Sequence, residues 1–420
     1  MEKGIFKMKD RIAQISLFSA LILVAASYLP WFYLKPAYYV FRYVVLALLG
    51  ISTALTFSFK RTTSVRFMKL FFAFIVLVAV EFLFFKILHY RFHLEDLTQL
   101  IVAFLCLCLG INMKNDLKFW MNVSYFYTIL LIIMGLINCY YYAKGFYVPE
   151  YYLFNKGKNQ VGALIAIGAA ALFFFGMKLK ENRVHYWAVF FLAVEALLMI
   201  RSRASFFALI ACVILIVVKD ADWKWKWNVK TVLTIIALLV VSYIFFTGFI
   251  GNELHTFFSG GKNLNHNTSD VLSSNRLERD SEAVKVLSDN GLSGELSQAS
   301  GIKLVHNYVI LRLSRYGVWA LPFLAFYIYF GIRILCGVFK TWKTEVTNVG
   351  FIVCILPFIV SLFEPSFPYG PGEIQLLVFL LLGFSFRSIH ENELSRDGAD
   401  SAEDQVWYQE IKELVHKRKK

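Results

Sequence analysis

The chain has 420 residues, of which 58% are hydrophobic and 17% aromatic, and its mean hydropathy is +0.58. That much apolar surface exceeds what the core of a water-soluble globule can hide, so the composition calls for a lipid bilayer. The formal charge of +14 comes from Lys and Arg spaced between apolar runs, which fits a polytopic membrane protein and argues against a nucleic-acid partner.

A spanning helix needs about 20 predominantly apolar residues. Twelve runs approach that size, at 12–30, 37–58, 68–88, 97–113, 119–143, 159–178, 185–200, 203–218, 229–250, 316–338, 348–364 and 371–388. They predict an all-α fold, a polytopic membrane helix bundle of about 12 transmembrane helices. The first run follows a basic stretch and could serve as a signal peptide. Its apolar part is long, however, and Ala25-Ala26-Ser27 is a poor cleavage signal, so it reads as an anchor. The seventh and eighth runs are short and split only by Arg201-Ser202-Arg203; a helix pair with a tight turn and a re-entrant element both fit. All six cysteines (Cys106, Cys108, Cys139, Cys212, Cys336 and Cys354) lie in apolar runs with no CxxC pair, and they read as packing residues.

Lys and Arg concentrate in the connections 3–11, 60–69, 114–118, 178–183, 219–230, 333–343 and 387–420, and are sparse in the connections between them. The positive-inside rule then places both termini in the cytoplasm and makes the number of spans even. On this reading 1–250 carries nine spans, 251–315 is a long extracytoplasmic loop, 316–388 carries three more spans, and 389–420 is a cytoplasmic tail. The tail ends in HKRKK and reads as a solvated segment or a contact with anionic headgroups.

The long loop is the only long polar insertion, and chemistry is expected there first. Asn275 is a plausible N-cap with Glu278 three residues on, and Leu277, Val284 and Leu287 follow at helical spacing, which predicts a short amphipathic helix at the outer interface. Residues 289–294 are turn chemistry. The stretch 301–317, GIKLVHNYVILRLSRYG, then puts His306 and Asn307 where the loop runs back into apolar sequence. On a helix, Arg312 and Arg315 lie about 240° and about 180° from His306, off its face, and they read as headgroup anchors.

An imidazole titrates near working pH, so His306 suits a general base; the plainer alternative is an interfacial histidine bonded to a backbone carbonyl. Arg201 and Arg203 stand at the outer end of a short apolar pair, where a cation needs a partner. Phosphate oxygens held by a guanidinium fork would supply one. Two residues apart on a helix, the two side chains point some 200° from each other, so one faces a cavity and the other snorkels. Arg276, on the polar loop, is either a phosphate ligand or simply solvated. Glu81, Glu195 and Arg42 fall within apolar runs and are expected to face the interior and pair with one another. Buried carboxylates are also how proton-coupled transporters relay charge, which makes a transporter the rival class. Asp220-Ala221-Asp222 looks like the DxD of nucleotide-sugar transferases, but it falls on the cytoplasmic side with no α/β domain beside it.

Five features occur in a set order: Asn159 opening a span, Ser202-Arg203-Ala204 opening a later one, Asn275-Arg276 early in a long outer loop, an Asn-Gly-Leu-x-Gly turn, and His306-Asn307 with Gly317 ten residues on. In that order the chain resembles the O-antigen ligase and polymerase superfamily, closely over about 155–320 and elsewhere only in hydropathy. The resemblance implies transfer of glycan from an undecaprenyl-diphosphate carrier to an acceptor hydroxyl on the outer face of a bacterial inner (plasma) membrane. In it His306 is the base, Arg203 and Arg276 with Arg201 bind the diphosphate, and Asn159, Asn307 and Glu364 position sugars. A polymerase of surface polysaccharide is expected; a ligase acting on lipid A core is the alternative within the family, and a flippase or transporter of lipid-linked oligosaccharide the alternative outside it. The implied partners are the lipid-linked oligosaccharide, an acceptor glycan or glycolipid, membrane lipids, a flippase and a chain-length regulator, with no metal or cofactor called for. The chain departs from the family pattern where an aromatic residue is missing after the loop arginine and where Ser293 replaces an apolar residue.

Overall fold

A computed structural model describes residues 2–29, 37–90, 92–113, 117–143, 153–178, 183–200, 202–220, 281, 283–285, 307–340, 346–364, 368–369 and 376–396. Among them the regular structure is entirely helical: α1 (Glu2–Ser27), α2 (Ala37–Thr56), α3 (Phe59–Ser64), α4 (Arg66–Ile87), α5 (Leu94–Asn112), α6 (Leu117–Ala143), α7 (Leu153–Lys178), α8 (Arg183–Ile200), α9 (Arg203–Asp220), α10 (Tyr308–Tyr316), α11 (Leu321–Lys340), α12 (Val349–Ser361) and α13 (Leu376–Arg396), with short 3-10 turns at Gly317–Ala320 and Val346–Asn348. All the apolar runs expected from the sequence coincide with helices except 229–250, which lies outside the described residues. Among the described residues six helical stretches are long and apolar enough to cross a membrane: Met8–Ser27, Arg66–Ile87, Leu94–Asn112, Leu117–Tyr141, Asn159–Met177 and Tyr308–Phe339. Shorter apolar helices accompany them.

The core forms around α7, and 89% of its apolar window is buried. The reason lies in its side chains. Ala163, Ala166, Ala169, Ala170 and Ala171 are small, so α6, α8, α9 and α12 all pack against it. In lipid, where apolar surface gains nothing by leaving one apolar medium for another, close packing of small residues is a main source of helix association. The first run is part of this bundle: α1 packs on α2 and α6, and the Ser52 hydroxyl donates to the Ala13 carbonyl at 2.8 Å. The seventh and eighth runs are two helices, α8 and α9, separated by two residues, with the Ser202 N–H reaching back to the Leu197 carbonyl.

One end of the bundle is closed by arginines. The last carbonyls of α5 have no partner within their own helix. Arg61 donates to the Asn112 carbonyl at 3.3 Å and Arg387 to the Met113 carbonyl at 2.5 Å, while the Asn112 side chain accepts from the Ser58 N–H and donates to Thr62. The opposite end gathers the start of α5, the α8–α9 turn, the start of α10 and the residues after α12.

Three expectations about charged residues change. Glu195 is exposed on α8 rather than interior, and Arg42 pairs with Glu95 at 3.8 Å rather than with Glu81 or Glu195. Glu81 alone of the three is buried, with one carboxylate oxygen lacking a hydrogen-bond partner. The helix expected from 316 begins earlier, at Tyr308. It breaks at Gly317, whose φ of 56° only glycine adopts without strain, and resumes as α11. Of the expected outer-loop helix, residues 281 and 283–285 are described and helical; Ala283, not Val284, makes the contact with Leu311 and Ile310.

Candidate functional site

Four of the candidate site residues, Asn159, Arg203, Asn307 and Glu364, lie in the described part; Asn159 and Glu364 bond directly, and Asn307 bonds to the backbone two residues before Glu364. Asn159, near the start of α7, donates from its side-chain amide to a Glu364 carboxylate oxygen at 2.5 Å. Asn307 donates to the Leu362 carbonyl at 3.3 Å, two residues before Glu364. The turn that carries Arg203 joins the same cluster: the Ser202 hydroxyl donates to Ser205 at 2.8 Å, and Ser205 to the Asn159 carbonyl at 3.5 Å. Arg203 itself is the first residue of α9 and is half-buried. Arg201, Arg276 and His306 lie outside the described residues.

Each side chain is set by local chemistry. A glycine at 162, one turn into α7 from Asn159, lets the α8–α9 turn seat: a Cβ there would meet both side-chain atoms of Ser202. Asn307 is the N-cap of α10, its side-chain oxygen accepting from the Val309 and Ile310 N–H groups at 2.9 and 3.2 Å. That satisfies two otherwise orphaned donors. Tyr308 then stacks on Tyr327 of α11 with ring centroids 5.0 Å apart. The Tyr327 and Ser361 hydroxyls are 2.8 Å apart, and because Ser361 donates to the Phe358 carbonyl, Tyr327 is the donor. The end of α12 is therefore held on one side by α10 and on the other by α11, and Glu364 follows directly from it.

The capping role gives a direct expectation. Asn307→Ala should lower stability by about 1 kcal/mol, while Asn307→Ser, which keeps a capping oxygen but cannot reach Leu362, should fall only a few tenths short of wild type, about 0.3 kcal/mol. Thermal unfolding in detergent reads the order.

No protein-family model, curated protein or solved structure matches this chain. The site is therefore read from its own residues. A carboxylate fixed by an amide, a further amide and two buried hydroxyls form a donor-and-acceptor array suited to sugar hydroxyls, with an arginine at its edge for an anionic group. Burial holds the phenol of Tyr369, whose ring packs on Tyr308, well above its usual pKa, so it stays neutral. Among the described residues no group of three or more His, Cys, Asp or Glu stands close enough to hold a metal ion.

Sequence reading missed a second constellation beside this one. Arg312 does not anchor to headgroups: its side chain is 3% exposed and forms an ion pair with Asp96, which is 4% exposed, at the start of α5. Arg315 is 3.6 Å from the same carboxylate oxygen, and the Tyr316 hydroxyl donates to it at 2.7 Å. The Arg312 guanidinium also lies over the rings of Tyr308 and Phe323, 5.0 and 5.3 Å from their centroids. The physical reason for the correction is desolvation. A guanidinium on a helix packed inside the bundle cannot reach water, so a buried carboxylate is its stable partner.

Proposed function

We propose that this chain is an integral-membrane glycosyltransferase that takes glycan from a polyprenyl-diphosphate carrier at the extracytoplasmic face. One observation carries the reading: Asn159, Ser202, Ser205, Asn307 and Glu364, drawn from four separate parts of the chain, meet at one end of an apolar helix bundle. Apolar packing alone gives no reason for such a polar meeting point, since each group would cost free energy there without its partners. In the proposed reaction Arg203 and Arg276 hold the diphosphate and stabilise its developing charge as the glycosidic bond to phosphate breaks. His306 takes the proton of the acceptor hydroxyl as its oxygen attacks the anomeric carbon. Asn159, Asn307 and Glu364 hold sugar hydroxyls. Polymerisation of a surface polysaccharide is the preferred form of the reaction, and ligation to lipid A core the alternative. Buried Glu81 is the observation that favours a proton-coupled carrier instead.

The test is surface-glycan display in a deletion strain complemented with wild type, His306→Ala or Glu81→Gln at matched membrane levels, with glycans resolved by chain length. His306→Ala should reduce transfer by about 10²- to 10⁴-fold, and Glu81→Gln should leave it near wild type. Single repeat units on the deletion strain identify a polymerase, and long chains stranded on the carrier identify a ligase. Full display from His306→Ala together with loss in Glu81→Gln would replace transfer by transport.

A further inference from the structure

The nine residues of α10 make about two and a half turns, too few for a helix to hold itself in place. Its position is set from outside. At its first residues Asn307 is bonded to Leu362 and Tyr308 stacks on Tyr327. At its last turns Arg312, Arg315 and Tyr316 all converge on one oxygen of Asp96, on a helix that is remote in sequence. The Tyr316 hydroxyl also accepts from the His93 N–H at 3.3 Å, so the first turn of α5 grips α10 through both its carboxylate and its backbone.

We propose that Asp96 is a positioning residue for glycosyl transfer: it sets the tilt and rotation of α10, and through it the N-cap Asn307, relative to Asn159, Arg203 and Glu364. This inference rests on the transfer reading given above. The lever is long. Gly317, where the helix breaks, is the hinge: Asn307 lies about 13 Å from Tyr316 along the axis, so a tilt of about 5° that Asp96 no longer opposes moves the N-cap by about 1 Å, against only the 3.3 Å bond to Leu362 and the Tyr308–Tyr327 stack. A displacement of that size at reacting groups is enough to cost about 10²-fold in rate. Asp96 does this without touching substrate. Arg203, on α9, is not moved by the tilt and keeps its hold on the donor diphosphate. Loss of Asp96 therefore falls mainly on turnover and much less on donor binding.

The experiment uses the full chain in lipid nanodiscs as wild type, Asp96→Asn, Asp96→Glu and His306→Ala, with the lipid-linked glycan extracted from the deletion strain as donor. Hydrogen exchange is followed in the peptide covering α10 and in the α7 window 159–177, alongside kcat and donor KM. In Asp96→Asn, α10 should exchange faster while 159–177 is unchanged, and kcat should fall about 10²-fold with KM within about threefold of wild type. Asp96→Glu, which keeps the charge, should recover most of the loss. Faster exchange in both segments would make Asp96 a general scaffold residue and overturn the proposal. Unchanged kcat despite faster exchange in α10, or unchanged exchange despite a slower kcat, would overturn it as well. The His306→Ala arm separates the two claims: full activity there removes the transfer reading, whereas an inactive His306→Ala beside a fully active Asp96→Asn removes only the positioning role.

Discussion

Gly110→Leu should leave little folded protein in the membrane. The helices α5 and α13 cross at Gly110 and Gly383, and a Cβ at 110 would stand 2.9 Å from both the Gly383 Cα and the Phe384 nitrogen, closer still to the Leu380 carbonyl oxygen. These are backbone atoms and cannot rotate aside. The helices would have to part along a seam where Cys106, Leu107, Ile111, Leu377, Leu380 and Phe384 are all fully or almost fully buried. The far side of α13 offers no relief, because Gly350 of α12 makes an equally close approach to Leu381, and the Gly350 N–H donates to Ser385 at 3.0 Å. Overpacking of this kind costs about 3 kcal/mol or more. Gly50, in α2, is the control: a Cβ there meets nothing within 4 Å, so Gly50→Ala should stabilise by up to about 1 kcal/mol through helix propensity. Thermal unfolding after detergent extraction compares the two, and equal melting of Gly110→Leu and Gly50→Ala would mean the crossing is not close.

The contrast between these glycines shows what a sequence can carry. Hydropathy marks where helices lie, because a helix in lipid must be apolar along its whole length whatever it packs against. It does not mark which face meets which neighbour, so Gly50 and Gly110 look alike until the bundle is assembled. The same limit applies at the site. Asn159 and Glu364 are conspicuous as polar residues at the ends of apolar runs, yet their bond joins positions 205 residues apart. Asp96 was overlooked for a related reason. With Glu95 beside it, it resembles the acidic first turn that any helix dipole favours. A signal was present on the other side: Arg312, Arg315 and Tyr316, at i, i+3 and i+4, share one helix face and ask for a single acidic partner. That face lies away from His306, so the arginines look unrelated to the site until α5 is placed beside them. Ser202 and Ser205, also three apart, and Gly162 one turn on from Asn159, were legible as spacing but not as a contact.

Arg312→Met should be among the most destabilising single changes in the chain, and the double change Asp96→Leu with Arg312→Met much less so. Removing one partner of a buried ion pair leaves an uncompensated charge and costs about 3–5 kcal/mol, whereas replacing both by apolar groups of similar volume is often neutral. The surroundings suit the double change. Arg315 is 25% exposed and can turn to solvent, and the rings of Tyr308 and Phe323 already face the Arg312 guanidinium; the Tyr316 hydroxyl still accepts from the His93 N–H but loses the acceptor for its own proton, a residual cost of about 1–3 kcal/mol that Tyr316→Phe would remove. Arg315→Met alone, which breaks only a longer contact at a partly exposed side chain, should cost less than about 1 kcal/mol. Unfolding of these variants together with Asp96→Leu closes the cycle and measures the coupling, and equal losses in the single and double variants would show that no buried charge is being orphaned. The order also separates stability from position. A double variant as stable as wild type but slow in transfer means that the pair is kept for where it puts α10, since an apolar contact in its place has no preferred direction and the convergence of two guanidinium groups and a hydroxyl on one carboxylate oxygen does.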